Sequence, residues 1–341
     1  MEKVMLGKTG LMVTRTAMGC LPIQRVDFDT ARDILLRAYE GGINFFDTAR
    51  AYSDSEEKIG YALSHVRENI VIATKSGART GAEMEAQLET SLKNLKTDYI
   101  DIYQFHNAAN PPMPGGEDGL YDAAMRAKAA GKIRHIGITC HSIDSAFKAV
   151  ESGLFETLQY PFNHLCTQRE IELVNLCKEK NVGFICMKGM SGGLITNARI
   201  PFAFIRQFEN AVPIWGVQRI SEIEEFLKYA EHPPELTAEM QAEIEKDRAE
   251  LKGAFCRSCG YCMLCPVGIP INNANRMKEL LTRSPSKNWL TPQWQEGMEK
   301  IDLCIHCGQC AKKCPYGLKP YETLPAQLKF YREFVKEHGA E

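Results

Sequence analysis

The stretch that decides the fold is residues 70–106, IVIATKSGARTGAEMEAQLETSLKNLKTDYIDIYQFH. Two apolar runs, at 70–74 and 100–105, have the composition of buried strands, and the amphipathic stretch 81–95 between them has the period of a helix. A strand, a helix and a second strand in this order predict a parallel βαβ unit, because the helix returns the chain to the end of the sheet at which the first strand began.

The same alternation continues on both sides of this unit. Further apolar runs lie at 14–18, 44–47, 133–138, 157–162, 182–187 and 211–217, and further amphipathic stretches lie at 29–40, 120–130, 142–152, 168–180 and 221–229. Eight strands with helical crossovers predict a closed (β/α)8 TIM barrel of the α/β class. The first 18 residues are expected to form a short hairpin, with Gly7 and Gly10 in its turn.

Length and composition limit the classes of protein to which the chain can belong. Its 341 residues favour one large domain and one small one. The composition, 44% hydrophobic and 25% charged, is that of a globular protein, and the absence of an apolar run of about 18 residues predicts no membrane span. A net charge of −2 argues against a general nucleic-acid-binding protein. No apolar signal region opens the chain, so we expect a cytoplasmic location.

Eight cysteines near the C-terminus form two runs, each followed by Pro. They are Cys256-x2-Cys259-x2-Cys262-x2-Cys265 and Cys304-x2-Cys307-x2-Cys310-x3-Cys314. This spacing is typical of bacterial [4Fe–4S] sites, in which the fourth cysteine of each run ligates the other cluster. The sequence therefore predicts two [4Fe–4S] clusters with crossed ligands.

Crossed ligation assigns Cys256, Cys259, Cys262 and Cys314 to one cluster, and Cys304, Cys307, Cys310 and Cys265 to the other. The first run has one residue fewer before its last cysteine than the second, which departs from the usual spacing. Zinc is the alternative, because Cys-x2-Cys pairs also suit tetrahedral Zn²⁺, but a zinc ribbon uses two separated pairs. A disulfide scaffold fits a cytoplasmic chain less well.

The domain boundaries follow from these patterns. His232-Pro233-Pro234 interrupts the strand and helix alternation, which predicts a barrel domain at 1–235. A charged helical linker is expected at 236–252. Residues 253–341 are then a small, mainly helical dicluster ferredoxin-like domain, with helices predicted at 272–282, 292–300 and 321–338.

Four polar residues follow three neighbouring strands of the predicted barrel. Asp47 and Tyr52 come after the second strand, Lys75 ends the third and His106 ends the fourth. Functional residues in such barrels lie at the carboxyl ends of strands. A nearby ammonium lowers the pKa of a phenol from about 10 by stabilising the phenolate. We therefore expect Lys75 to lower the pKa of Tyr52, and Asp47 to pair with Lys75.

The stretch 44–60, which contains Asn44-Phe45-Phe46-Asp47-Thr48-Ala49 and Tyr52, resembles the signature of the aldo-keto reductase family. Asp47, Tyr52, Lys75 and His106 match that family's catalytic tetrad in order. The resemblance covers about residues 1–230 and, with the cysteine runs, is to the iron–sulfur branch of the family. It implies an oxidoreductase that moves a hydride between NADH or NADPH and a small carbonyl or alcohol substrate. Tyr52 would be the general acid, and His106 would orient the carbonyl oxygen.

The resemblance also implies positions that hold the nicotinamide, some of which depart from the family pattern. Thr139 keeps a hydroxyl after the fifth strand, but Cys140 replaces an amide side chain. Gln159 matches the family's Gln. Met187 stands where an aromatic residue usually stacks on the nicotinamide, and a thioether packs on a ring less specifically.

The loop and helix after the eighth strand are similar to the family's site for the adenosine phosphate. Gly216 and Arg219 fit that site, because backbone N–H groups that open a helix suit a phosphate. Glu222 stands where many members keep a cation or an amide, and a carboxylate there disfavours NADPH. Glu225 matches an adenine-contacting Glu, whereas Phe226 replaces the following Asn.

A second function remains open. Hydride transfer moves two electrons, whereas each cluster passes one, so the clusters are either structural or served by a further redox group. The alternative is an iron–sulfur electron-transfer protein whose barrel binds a flavin or a substrate without nicotinamide. Residues 251–341 carry 13 Lys and Arg against 8 Asp and Glu, a charge that would steer an acidic ferredoxin or flavodoxin.

Overall fold

An antiparallel hairpin of β1 (Lys3–Met5) and β2 (Met12–Thr14) opens the chain, as predicted. This computed structural model describes residues 1–251, 256–258, 260–283, 286–314 and 316–338. The predicted strand 14–18 divides between β2 and the first barrel strand, because Thr14 pairs with Lys3 in the hairpin.

Eight parallel strands then close into a barrel. They are β3 (Ala17–Gly19), β4 (Phe45–Asp47), β5 (Val71–Ser76), β6 (Ile100–Phe105), β7 (Ile133–Thr139), β8 (Thr157–Pro161), β9 (Gly183–Met187) and β10 (Ala211–Gly216). Each strand pairs with the next along the chain, and β10 pairs with β3 to close the ring. The predicted (β/α)8 barrel is therefore confirmed.

A helix follows each barrel strand. These helices are α1 (Phe28–Glu40), α2 (Ser55–Leu63), α3 (Gly81–Leu95), α4 (Leu120–Ala129), α5 (Ile143–Glu151), α6 (Gln168–Glu179), α7 (Arg199–Ile205) and α8 (Ile220–Glu231). Side-chain caps begin several of them: Asp27 accepts from Thr30 N, and Thr80 accepts from Glu83 N. The predicted amphipathic stretches omit α2 and α7, two short helices in which most residues are buried.

Apolar side chains fill the amino end of the barrel. Leu6 and Val13, from the hairpin and its turn, pack with residues that begin barrel strands, such as Ala17, Phe45 and Val71. The hairpin therefore closes this end of the barrel. Polar residues are left for the opposite end, where the strands finish.

The strand register brings the polar residues of the carboxyl end side by side. Asp47 pairs with Ala73, and Lys75, two residues further along β5, pairs with Gln104. Residues two apart on a strand point to the same face. Ala73 belongs to the interior apolar cluster, so Lys75 also points into the barrel.

The chain divides into two compact units, Met1–Gly189 with Arg199–Thr237, and Met190–Ala198 with Ala238–Glu341. The second unit contains α9 (Ala238–Glu250), α10 (Ile271–Ala274), α11 (Met277–Arg283), α12 (Pro292–Glu299), α13 (Gln309–Lys312) and α14 (Pro320–His338). Its core includes Leu281, Met298, Leu324 and Leu328. The predicted helical character of this region is confirmed.

The predicted linker at 236–252 and cluster domain at 253–341 stay predictions. No helix among the described residues is both long and apolar enough to cross a membrane.

Candidate active site

Asp47 and Lys75 form a buried ion pair at the carboxyl ends of β4 and β5. Lys75 Nζ donates to Asp47 Oδ1 at 2.6 Å and to Thr48 O at 2.5 Å. Burial raises the pKa of Asp47 and lowers the pKa of Lys75, and the contact between them opposes both shifts. Each group therefore depends on the other to stay charged inside the barrel.

Two amide side chains surround the carboxylate of Asp47. Gln104 Nε2 donates to Asp47 Oδ2 at 3.1 Å, and Gln159 Nε2 donates to Asp47 Oδ1 at 3.4 Å. Both glutamines are buried, and neither amide oxygen has a hydrogen-bond partner among the described residues. A buried acceptor without a donor is costly, so these two oxygens are ready to receive N–H groups from a bound molecule.

Tyr52 and His106 bring their rings together beside the ion pair. Their centroids are 5.8 Å apart with an interplanar angle of 85°, and Lys75 Nζ lies 5.2 Å from the Tyr52 centroid. Burial lowers the pKa of His106 to about 3, and the charge of Lys75 acts in the same direction. His106 is therefore neutral at physiological pH.

The pKa of Tyr52 corrects one expectation from the sequence. Burial raises this pKa above its ordinary value, and the Asp47 carboxylate acts in the same direction. Lys75, which lies over the ring face, does not reverse this shift. The phenol is consequently protonated at neutral pH, as a proton donor has to be.

A buried carboxylate holds the loop that carries Tyr52. Glu56, in the first turn of α2, accepts from Thr74 Oγ1 and from Ser91 Oγ at 2.7 Å each and pairs with Arg50. Arg50 N in turn donates to Lys75 O at 3.0 Å. These bonds tie the loop after β4 to β5, and so fix Tyr52 near Lys75.

Of the predicted nicotinamide contacts, Thr139 is buried at the end of β7. Its Oγ1 accepts from Asn107 N at 2.7 Å, which holds the loop that follows His106. Next to it, burial raises the pKa of the Cys140 thiol to about 12, so this thiol is neutral. Met187 ends β9 and packs against the apolar interior of the barrel.

The predicted phosphate site after β10 already contains a carboxylate. Glu222 Oε2 accepts from Gln218 N at 2.8 Å and from Arg219 N at 3.1 Å, and Oε1 pairs with the Arg219 guanidinium. Glu222 thus engages the backbone donors and the cation expected to meet a phosphate. Gly216 is the exposed last residue of β10, and the Pro22 ring lies 3.0 Å from the position that a Cβ would take there.

The two residues of α8 predicted to lie at the adenine, Glu225 and Phe226, contact aromatic side chains of the barrel unit. Glu225 Oε1 accepts from Tyr229 Oη at 2.9 Å. Phe226 is buried and stacks on Trp215, with centroids 4.6 Å apart and an interplanar angle of 15°. Phe226 therefore belongs to an aromatic stack, and its ring offers no polar group where the family has Asn.

Five of the predicted cluster ligands line one pocket of the second unit: Cys262, Cys265, Cys304, Cys307 and Cys310. Four of them are the ligands assigned to one cluster by crossed ligation. Cys256, assigned to the other cluster, is buried with its Sγ 3.5 Å from Asn272 O, and Cys314 is partly buried.

Cys259 lies outside the described residues, and within the described ranges no group of three or more His, Cys, Asp or Glu side chains is arranged to hold a metal ion. Cys265, Cys304, Cys307, Cys310 and Cys314 form no disulfide bond with any described residue.

Comparison with known proteins agrees with the geometry of the barrel. A model of the aldo/keto reductase family matches residues 10–201. The chain belongs to this family. A model of a 4Fe–4S dicluster domain matches residues 255–319, so this aldo/keto reductase carries a dicluster domain at its C-terminus. The match favours iron–sulfur clusters over the zinc alternative.

Relatives of this aldo/keto reductase include bacterial oxidoreductases. The chain is 29% identical over 210 residues to the uncharacterized oxidoreductase YqkF of Bacillus subtilis, covering 58% of this chain and 67% of that protein. It is 28% identical over 226 residues to the NADH-specific methylglyoxal reductase of Escherichia coli, covering 58% and 69%.

Two solved structures share the fold of this aldo/keto reductase. AKR11C1 from Bacillus halodurans has a TM-score of 0.64 at 23% identity, covering 72% of this chain and 96% of its own. An aldo-keto reductase from Klebsiella pneumoniae in complex with NADPH has a TM-score of 0.63 at 18% identity, covering 73% and 95%.

Proposed function

We propose that this aldo/keto reductase is a nicotinamide-dependent enzyme that exchanges a hydride with a small carbonyl or alcohol, and that it holds two [4Fe–4S] clusters. The observation that carries the proposal is the buried Asp47–Lys75 pair beside the rings of Tyr52 and His106. Family membership and the predominance of oxidoreductases among the named relatives support it. We place the enzyme in the cytoplasm, because a reducing compartment keeps cluster thiols available.

The four polar residues have complementary tasks in carbonyl reduction. Tyr52 delivers its proton to the carbonyl oxygen as that oxygen becomes negative, and neutral His106 donates a hydrogen bond to the same oxygen. Lys75 stabilises the phenolate that Tyr52 leaves behind, and Asp47 keeps Lys75 charged. General-acid catalysis of this kind contributes on the order of 10²–10⁴ in rate.

The buried amide oxygens fit a nicotinamide. When bound, this cofactor supplies or accepts the hydride. Gln159 Oε1 has no partner among the described residues and would accept from the carboxamide N–H. The residues proposed to hold the cofactor are Thr139, Gln159, Met187, Gly216, Arg219, Glu222 and Glu225. The contacts of Glu222 with Arg219 and two backbone N–H groups favour NADH, because a 2′-phosphate would meet a carboxylate there.

The proposed cluster ligands are the eight cysteines in the crossed arrangement. Thiolates are the ligands that iron–sulfur clusters require, and Cys265 lines the same pocket as Cys304, Cys307 and Cys310. The match to a dicluster domain supports two clusters in this unit.

The test of the hydride-transfer proposal uses the full chain reconstituted anaerobically. NADH binding is followed by its fluorescence, and reduction of a small aldehyde such as methylglyoxal by NADH consumption. Tyr52→Phe is expected to lose at least 10²-fold in turnover while it binds NADH as the natural chain does. Tyr61→Phe, at an exposed position on α2, is the matched control and keeps full activity. A fully active Tyr52→Phe enzyme would refute the mechanism.

A second candidate function is electron transfer with an acidic ferredoxin or flavodoxin. It is favoured by the surface of the second compact unit, Met190–Ala198 with Ala238–Glu341, which we call the cluster unit. Leu264, Leu303 and Ile305 are between 61% and 83% exposed, and each adjoins a cluster cysteine in the chain. Such exposed apolar side chains are typical of protein interaction sites. Lys312, the last residue of α13, and Lys313, which follows it, are exposed nearby in sequence and suit an acidic partner.

The two candidates differ in their response to charge reversal. Lys312→Glu with Lys313→Glu is expected to slow cluster reduction by a reduced flavodoxin about tenfold at low salt, but not reduction by dithionite. The control is Lys329→Glu with Lys336→Glu on α14. Equal rates in all three proteins would exclude this docking surface, and the absence of NADH and NADPH binding would leave electron transfer as the function.

A further inference from the structure

Arg276 is a buried cation in the cluster unit. Only 3% of its surface is exposed, although it lies at the start of α11 in a unit of modest size. Its Nη1 donates to Ser191 O at 3.2 Å and its Nη2 donates to Gly192 O at 2.6 Å. Two neutral carbonyl groups are therefore the acceptors for a full positive charge.

The third donor position of this guanidinium has no acceptor. Arg276 Nε is buried and makes no hydrogen bond within the part of the chain that the structure describes. Among the described residues, the carboxylate that acts on this charge is Glu279, one turn further along, and it does so without a hydrogen bond to the guanidinium. A buried charge without a counter-ion and a buried N–H without an acceptor are both costly.

The largest electrostatic influence that favours the charge comes from a cluster cysteine. Burial lowers the pKa of Arg276 to about 10. Two negative groups oppose this shift, Cys256 more strongly than Glu279. Gly192, whose carbonyl binds Arg276, also lies against Ser258 and the backbone of Arg257 in the first cysteine run. The guanidinium therefore lies next to Gly192, which also contacts the first cysteine run at Arg257 and Ser258, the two residues that follow Cys256.

We propose that Arg276 donates its Nε–H to a sulfur of the cluster assigned to Cys256, Cys259, Cys262 and Cys314, and raises the reduction potential of that cluster. One-electron reduction adds one negative charge to the cluster, and a buried cation stabilises the more negative form. Hydrogen bonds to cluster sulfur act in the same direction. Arg276 therefore sets the reduction potential of this cluster without being one of its ligands. This role rests on the proposal that two clusters are bound.

The test is an anaerobic redox titration of the reconstituted full chain, followed by electron paramagnetic resonance. In Arg276→Gln, one of the two midpoint potentials is expected to fall by about 59 mV, a tenfold change in a one-electron equilibrium constant, while the other is unchanged. Arg276→Lys keeps the charge, so its potential stays near the natural value, but its spectrum shifts because the Nε–H is lost. Arg283→Gln, at an arginine that pairs with Asp247 and Glu250, is the control and alters neither cluster.

Iron and sulfide analysis comes first, because it tests whether two clusters are bound separately from the role of Arg276. Fewer than about eight iron atoms in the natural chain would contradict the two-cluster proposal itself. With full iron content, unchanged potentials in Arg276→Gln or equal shifts of both clusters would overturn the role of Arg276. If Arg276→Gln loses iron, Arg276→Lys decides: an unaltered spectrum at full loading overturns the proposed hydrogen bond.

Discussion

Lys75 reaches Asp47 across neighbouring strands, with Nζ 2.6 Å from Oδ1 and both side chains no more than 2% exposed. The register explains the contact, since Asp47 pairs with Ala73 and Lys75 is the next residue of β5 on the same face. The pair is inside the barrel, where a lone charge is far more costly than in water.

Removal of one partner is therefore expected to destabilise the barrel. Lys75→Met leaves the Asp47 carboxylate buried without a cation, and we expect a loss of about 3–5 kcal/mol in the free energy of unfolding. The double variant Asp47→Asn with Lys75→Met should recover much of this loss. Urea unfolding of the full chain, followed by circular dichroism, measures both. Additive effects of the two substitutions would contradict a coupled pair.

The pH profile of catalysis reports the state of His106. Because burial lowers the pKa of His106 to about 3, this residue stays neutral between about pH 5 and 8. We expect kcat/KM for aldehyde reduction to show no ionisation near pH 6.5 that depends on His106. A limb near this pH that disappears in His106→Asn would show that the imidazole titrates in its ordinary range.

Glu156 provides a second pH-dependent test, away from the site. Burial would raise its pKa, but hydrogen bonds from His135 and Lys128 outweigh burial and lower the pKa to about 2. A lowered carboxyl pKa gives stability that is complete above the unfolded pKa and is lost as pH falls toward the folded one.

Because solvent screens this partly exposed group, we expect Glu156 to contribute on the order of 1–2 kcal/mol above pH ~4.5, and to lose it between pH ~4.5 and ~2. Glu156→Gln should flatten the stability curve over this range, whereas Glu151→Gln, at an exposed position of α5, should not. Parallel pH curves for the natural chain and Glu156→Gln would contradict the assignment. Thermal unfolding at a series of pH values measures the difference.

Glu222 is expected to set the preference between NADH and NADPH. Glu222→Gln removes a negative charge from the N-terminus of α8 and releases Arg219, so the ratio of kcat/KM for NADH to that for NADPH should fall about tenfold. The ratio is insensitive to partial misfolding, because both cofactors meet the same enzyme. Glu224→Gln, on the same helix but paired with Arg37, is the control. A constant ratio in Glu222→Gln would remove this residue from cofactor selection.

Crossed ligation predicts which substitutions affect the same cluster. Cys265→Ser and Cys304→Ser should alter one of the two reduced-cluster spectra, and Cys314→Ser and Cys256→Ser should alter the other. Cys177→Ser, at a buried barrel position, should alter neither. If Cys265→Ser and Cys256→Ser change the same spectrum, each run holds its own cluster.

The sequence by itself determined the repeating architecture and the chemistry of the cluster unit. Alternating apolar and amphipathic stretches predicted the barrel, since periodicity is a local property of the chain. The cysteine spacing predicted a dicluster domain for the same reason. Sequence order at strand ends was also enough to propose Asp47, Tyr52, Lys75 and His106 as one site.

Only the tertiary structure decided the electrostatics of these groups. The expected effect of Lys75 on Tyr52 ignored desolvation, which depends on packing from the whole barrel and raises the Tyr52 pKa. Gln104 was not predicted as a site residue, because its contact with Asp47 joins residues 57 positions apart. Arg276 likewise resembles any surface arginine in the sequence. Its burial against Ser191 and Gly192 follows from long-range packing, which no local pattern encodes.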